Sequence, residues 1–469
     1  MGAGKTFVYV IIPIIAFIVA CGRFGDSEPA QHITAADKGV RAEPASDVGG
    51  PRMTGSSSSS ARPNVLIISI DTLRADHLGA YGSSRVKTPN IDALASRGAR
   101  FDMAISQFSQ TNPSHASLLT GTYPATHKLK IHGSDKISPS VTTLAQVLGN
   151  QGYSTAGIYS WPSFDPEMSG LDRGFATYKG IYFDVPEFRD STDFWRKRNG
   201  RADLTTDAVL GWLRGNTATP FFLWVHYQDP HYPYVPPPPF DTMYDPGCAG
   251  CPDGNWPTID RLFAGEHLSD EDLGHVVAKY DEVISFTDHE IGRVFDGLRD
   301  LDVLDKTMII VTADHGESFL ENGRWAHPFI LYNTVVRVPL IVSYPPVIPE
   351  GGAVGAVAQL VDVAPTILDL IGASIPRGVE GRSLMPLLLG SEKGDDRMAI
   401  TQIPDDSSIS MVVAGWKLIR NNTNGELEMY DLNADPKELV DLARSNRGRA
   451  LDLEKKLIAW MDSRGIKHY

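Results

Sequence analysis

The residues with most chemistry to offer fall into two groups. Asp71, Thr111, Asp314 and His315 form one, and Asp229 and His231 of a DPH segment, with His327 of RWAHP, form the other. Carboxylate and imidazole suit zinc and similar divalent ions, and two such ions a few ångströms apart would clamp a phosphoryl oxygen between them. Thr111 begins TNPSHASLLTG, where Pro113 suits the first turn of a helix and Leu118 and Leu119 give it an apolar side. A hydroxyl there meets unpaired N–H groups and the positive end of the helix dipole, which favour an alkoxide or an anionic substrate. An ordinary N-cap threonine is the plainer alternative. His226, inside its strand, reads as structural, whereas Asp314 and His315 at a strand end read as ligands.

Three buried strands must deliver these groups. NVLIISI (Asn64–Ile70), PFFLWVHYQ (Pro220–Gln228) and TMIIVTA (Thr307–Ala313) are continuous apolar runs, each followed at once by an aspartate. In a largely parallel α/β sheet such ends share one edge, so Asp71, Asp229 and Asp314 are expected to converge on a single crevice. Further strands are predicted near Phe101–Ile105, at Ser154–Tyr159 and at Pro339–Tyr344. Helices are predicted near Asn90–Arg97, from Leu144, and over Leu204–Leu213, Gly274–Leu298 and Val361–Ile371. Past a boundary near Gly390, MVVAGWKLIRN, ELEMYDL and a helix over Arg447–Met461 predict a small antiparallel sheet with one covering helix.

The 469 residues carry a net charge of −14 and no Lys/Arg run, which argues against nucleic acid as a partner. Residues Phe7–Ala20 form an apolar run too short for a spanning helix of about 20 residues but suited to a secretory signal. The run ends IVACG, which resembles a bacterial lipobox and implies cleavage before Cys21 and its lipidation, hence a membrane-anchored exported protein on the periplasmic side, with the outer membrane favoured. Residues 22–62, with the serine run Ser56–Ser60, read as a flexible linker. Cys248 and Cys251, spaced CAGC in a Pro/Gly-rich loop, favour a local disulfide in an oxidising compartment.

With these residues in place, the chain over Pro63–Tyr469 resembles the sulfatase family of the alkaline phosphatase superfamily. The matching stretches include NVLIISIDTLRADHLGAYG, KTPNIDALASRGARF, PSHASLLTG, FFLWVHYQDPHYPY, VTADHGESF and LYNTVVRVPLIV. The resemblance implies an α/β/α sandwich with a mostly parallel central sheet over 63–390, a C-terminal α+β subdomain over 391–469, and metal-dependent attack on a sulfate or phosphate ester through residue 111. Three positions depart from the sulfatase pattern. Thr111 replaces the Cys or Ser that becomes formylglycine, His115 replaces an arginine, and Thr72 replaces a second aspartate. The nucleophile motif is closer to the nucleotide pyrophosphatase/phosphodiesterase branch. That branch implies two zinc ions, one on Asp71, Thr111, Asp314 and His315, the other on Asp229, His231 and His327. It also puts His132 at a phosphate-holding position, with His115 a second substrate-binding candidate. A single calcium ion is the sulfatase-like alternative.

The expectation is therefore an exported metallohydrolase that cleaves small-molecule, glycan or lipid phosphate esters, with sulfate esters second. Its rivals are a phospho-headgroup transferase of the cell envelope, whose relatives carry extra membrane helices, and an inactive binding protein. Fold alone does not choose among them.

Overall fold

The computed structural model describes residues 62–184, 198–247 and 250–468. The predicted signal segment, Cys21, the linker and Cys248 lie outside the described residues.

Residues 62–468 are built on a nine-stranded mixed sheet. Its strands are β1 (Asn64–Ile70), β2 (Ala99–Ile105), β3 (Ser154–Tyr159), β4 (Thr177–Gly180), β5 (Phe221–Tyr227), β6 (Thr307–Ala313), β7 (Arg337–Val338), β8 (Leu340–Ser343) and β9 (Gly352–Gln359). The spatial order is β7-β2-β8-β6-β1-β5-β3-β4, with β9 added alongside β2. The run β6-β1-β5-β3-β4 is parallel throughout, and β8 pairs antiparallel with both β6 and β2. β1, β5 and β6 are buried at every position. They are covered on both faces, which explains why their apolar runs do not alternate.

Helices cover this sheet. The ones that matter for the site are α1 (Thr111–Thr120), α2 (Ala202–Leu213) and the 31-residue α3 (Asp270–Asp300). Ser269 caps α3 by accepting from Asp272 N, and three acidic residues follow in its first turn, as the helix dipole favours. All ten residues of α1 are buried, so it runs through the core rather than along the surface. Gly121 closes α1 at φ 67°, and its carbonyl accepts from the N–H groups of Glu380 and Gly381.

The C-terminal part forms a four-stranded antiparallel meander, β10 (Met398–Gln402), β11 (Ser408–Val413), β12 (Trp416–Asn421) and β13 (Leu427–Asp431), with α4 (Arg447–Asp462) against it. A buried Lys417 binds Glu438 at 2.6 Å and Asn333 at 2.9 Å, tying this sheet to the short segment that leads into β7. Among the described residues no helix is long and apolar enough to cross a membrane.

Candidate active site and metal centre

Because β6, β1 and β5 are adjacent and parallel, Asp71, Asp229 and Asp314 leave the sheet at the same edge. Asp71 N donates to Tyr227 O at 2.9 Å, which fixes how far the β1 end projects. Thr72 follows at φ 56°, a strained setting for a β-branched residue. Two bonds hold it there: its N–H donates to Asp314 Oδ1 at 3.2 Å, and its carbonyl accepts from Tyr280 OH at 2.7 Å. Asp314 Oδ1 also accepts from His315 N at 2.8 Å, which leaves Oδ2 turned into the crevice.

Ligand atoms of Asp71, Asp314 and His315 all lie within 4.8 Å of one another, and all three residues are fully buried. His315 Nε2 stands 3.4 Å from Asp314 Oδ2, 3.8 Å from Asp71 Oδ1 and 3.4 Å from Thr111 Oγ1. His315 Nδ1 lies 3.0 Å from Gly316 O, and since a carbonyl only accepts, the proton belongs on Nδ1 and the Nε2 lone pair faces the cluster. Both oxygens of Asp71 and Oδ2 of Asp314 are buried without a hydrogen-bond donor. Such orphaned carboxylate oxygens facing an imidazole lone pair and a hydroxyl fit a divalent cation. Burial and the neighbouring Asp314 push the Asp71 carboxyl well above its usual range, as expected of two carboxylates sharing one buried crevice.

Thr111 is the first residue of α1. Gln110 occupies the N-cap position, so the Thr111 hydroxyl does not cap its own helix and is directed at His315. Polar side chains fix this helix start. Ser114 Oγ donates to Asp314 O at 2.7 Å, and Asn112 Nδ2 donates to Ser163 O at 2.8 Å. Gln110 Nε2 donates to His327 O at 2.8 Å, linking the helix to the second histidine loop.

His115 corrects an expectation. Its Nδ1 donates to Thr111 O at 2.8 Å, and its Nε2 lies 2.8 Å from Ser69 Oγ, which itself accepts from Trp224 Nε1 at 2.9 Å. With both nitrogens engaged and no exposure, His115 braces the Thr111 carbonyl and has no nitrogen left for a substrate. His127 is structural as well, accepting from Leu129 N and lying 3.1 Å from Ser117 Oγ.

The second expected set assembles only in part. The His231 and His327 rings lie 5.1 Å apart, and His327 is 4.5 Å from the His315 ring. His231 Nδ1 donates to Tyr232 O and His327 Nδ1 to Glu317 Oε1, both at 2.8 Å, so both Nε2 lone pairs remain for the crevice. Among the described residues Asp229 is not part of a close ligand group with them. Its carboxylate accepts from Ala202 N at 2.8 Å at the start of α2, and burial there pushes it up to about 7. Two imidazoles without a carboxylate do not reproduce the expected second zinc site, and among the described residues Asp71, Asp314 and His315 form the one ligand trio. His132 reaches the same crevice at its rim, where Trp161 Nε1 donates to its Nε2 at 3.4 Å, and burial with the nearby histidines pushes it down to about 3.

Glu317 went unnoticed in the sequence although it stands two residues past His315. It accepts from His327 and from Tyr234 OH at 2.9 Å, and burial pushes it up to about 7. The DHGE spacing was the available signal. Cys251 is disulfide-bonded and its Sγ lies 3.3 Å from His275 Nε2, outside the site.

A model of the sulfatase family matches residues 63–373, and one of the N-sulphoglucosamine sulphohydrolase C-terminal region matches residues 321–462. The chain belongs to the sulfatase family. Among its relatives, an N-acetylglucosamine-6-O-sulfatase of Bacteroides thetaiotaomicron is 26% identical over 81% of this chain and 82% of the relative. A multifunctional alkaline phosphatase superfamily protein of Trinickia caryophylli is 27% identical over 87% and 97%. The crystal structure of a phosphonate monoester hydrolase of Agrobacterium radiobacter superposes with a TM-score of 0.71 at 23% identity, covering 86% of this chain and 96% of that one. The fold is thus the alkaline phosphatase/sulfatase α/β fold, and this sulfatase-family chain is a hydrolase of sulfuric or phosphoric esters.

Proposed function

We propose that this protein hydrolyses phosphate esters, diesters above all, through a covalent adduct on Thr111. The observation that carries the reading is the Thr111 hydroxyl, 3.4 Å from His315 Nε2 at the mouth of a crevice whose carboxylate oxygens have no donor. Asp71, Asp314 and His315 would hold a divalent ion, with Thr111 Oγ beside it. When bound, that ion supplies Lewis acidity, lowering the hydroxyl's pKa and polarising the ester oxygen. Thr111 Oγ, its proton released to water, attacks phosphorus in line as the P–O bond to the leaving group breaks and that oxygen takes up a proton to leave as the alcohol; water then attacks phosphorus, the Oγ–P bond breaks, and Thr111 regains its proton as the phosphate departs. His115 and Ser114 keep the nucleophile's helix turn in register during both steps, while His132, His231 and His327 line the wall where the ester sits.

The side chain at 111 is what favours phosphorus over sulfur. A formylglycine hydrate can expel sulfate by using its second hydroxyl, whereas a sulfated threonine has no such neighbour. A phosphorylated threonine is open to attack by water at phosphorus. Sulfate esters are the second reading, favoured by the sulfatases among the relatives. The test is turnover of bis(4-nitrophenyl) phosphate, 4-nitrophenyl phosphate and 4-nitrophenyl sulfate by the purified, metal-analysed protein. Faster phosphate turnover that chelation abolishes is expected, and faster sulfate turnover overturns the assignment. We further propose, from the IVACG stretch alone, an exported lipoprotein. Intact mass or labelled fatty acid incorporation at Cys21 tests it, and an unlipidated mature chain refutes it.

A further inference from the structure

His226 lies in the middle of this chemistry without a role so far. It sits on β5 opposite Ser69 of β1, two residues before Asp71, and is completely buried. Its ring packs edge-on against Phe164 at 4.7 Å and His115 at 5.1 Å. Neither ring nitrogen has a hydrogen-bond partner. A neutral imidazole carries one N–H donor and one lone pair, and burying such a donor unpaired forfeits its hydrogen bond to water with nothing in exchange. A site that tolerates this has a partner for it in the working state.

The geometry names the partner. His226 Nε2 stands 3.6 Å from Asp71 Oδ2, while the other oxygen, Oδ1, faces His315 Nε2 at 3.8 Å. One carboxylate therefore has one oxygen directed at the metal trio and the other at His226, and both lack donors. A movement of about half an ångström brings Nε2–H to Asp71 Oδ2 within hydrogen-bond range. We propose that His226 is a positioning residue of the metal centre, donating from Nε2–H to Asp71 Oδ2 so that Oδ1 is presented to the ion. It supplies support at a point where Thr72, in the place of a second aspartate, has only a hydroxyl, itself buried without a partner. Carboxylates that bind metal are oriented by such outer hydrogen bonds, and losing one typically lowers metal affinity 10- to 100-fold.

The inference rests on the metal-dependent reading above, and the experiment separates the two. Zinc and manganese affinities are measured by titration calorimetry on the metal-stripped full-length protein and on His226→Gln, His226→Ala and His226→Leu, each checked for folding by circular dichroism. Glutamine keeps an N–H donor at similar reach; alanine and leucine do not, and leucine retains the packing volume should the alanine cavity prevent folding. The expected result is a 10- to 100-fold loss of affinity in the alanine or leucine variant, with glutamine restored to within a few fold of the parent. Unchanged affinity in the folded leucine variant overturns the proposal. Equal loss in glutamine and leucine also overturns it, because it makes the ring nitrogen itself a ligand or the ring's shape the requirement. A parent protein that binds neither ion would instead refute the metal-dependent reading.

Discussion

At the scale of single residues, the site separates groups that bind from groups that brace. Thr111 and His115 lie four residues apart on one helix face, yet the first offers its hydroxyl to the crevice while the second holds the Thr111 carbonyl with Nδ1 and the β1 residue Ser69 with Nε2. Thr111→Ala should therefore lower kcat/KM by about a thousandfold or more, as removal of a nucleophile does. Metal affinity should stay within about tenfold, since Asp71, Asp314 and His315 remain. Steady-state kinetics and metal analysis of the same preparation check this, and retained activity would remove Thr111 from the reaction. His115→Ala makes the contrasting case. It should disturb kcat through a loosened helix start, with stability reduced by about 2–4 kcal/mol for the lost buried ring and its two hydrogen bonds, read by urea unfolding.

At the scale of elements, the site exists because three parallel strands end at one sheet edge and α1 begins above them. The loop from β6 shows how closely this is fitted. A Cβ on Gly316 would run into Thr334 O, the carbonyl lining the turn after His315. Gly316→Ala should displace His315 and weaken metal binding together with thermal stability, and an unchanged Tm would show the turn to be more yielding than its packing implies. Asp229 gives the opposite expectation. Because its carboxylate is committed to Ala202 N, Asp229→Ala should destabilise the start of α2 by about 1–3 kcal/mol while leaving metal stoichiometry intact. Loss of bound metal would restore it as a ligand. These cases also show what could be read in advance. The runs at β1, β5 and β6 were legible because fully buried strands are written as unbroken apolar stretches, and β11 to β13 of the antiparallel meander were legible in MVVAGWKLIRN and ELEMYDL, whereas its first strand, β10, was not. β9 was not either, since GAVGAVAQ is mostly Gly and Ala with two valines, on an edge where five of its eight positions are not buried. That strand-end aspartates leave the sheet together followed from topology. Where each carboxylate turns, and the bonds that engage His115 and leave His226 unpaired, depend on partners distant in sequence, which no local pattern encodes.

At the scale of the whole molecule, the buried histidines make stability depend on pH with a definite sign. Burial lowers His115, His127, His132, His226, His231, His315 and His327 below the ordinary value of 6.5, to about 3 for His127, His132 and His231 and about 4 for His327. Below pH 6.5 the unfolded chain takes up these protons and the folded chain refuses them, so this contribution falls as pH falls from 6.5 towards 4. Buried acids oppose it. Burial raises Asp229 and Glu317 to about 7 and Asp288 and Asp362 to about 6, so the folded chain holds protons there that the unfolded chain releases, and that contribution is lost as pH rises through 6 to 7. With Asp71, also raised well above its usual range, the opposing carboxyls number five, and seven histidines still outweigh them between pH 5 and 6.5, so metal-free protein should be less stable at pH 5.5 than at pH 7.5. Urea midpoints at the two values measure this, and a midpoint that rises on acidification would refute it. His127 isolates one proton of the effect, because it bonds to Leu129 N and Ser117 Oγ and takes no part in the metal trio. His127→Gln can keep both bonds but cannot titrate. In that variant the dependence of unfolding free energy on pH near 5.5 should be flatter by about one proton, roughly 1.4 kcal/mol per pH unit. An unchanged slope would mean that His127 is protonated equally in both states and that its burial carries no electrostatic penalty.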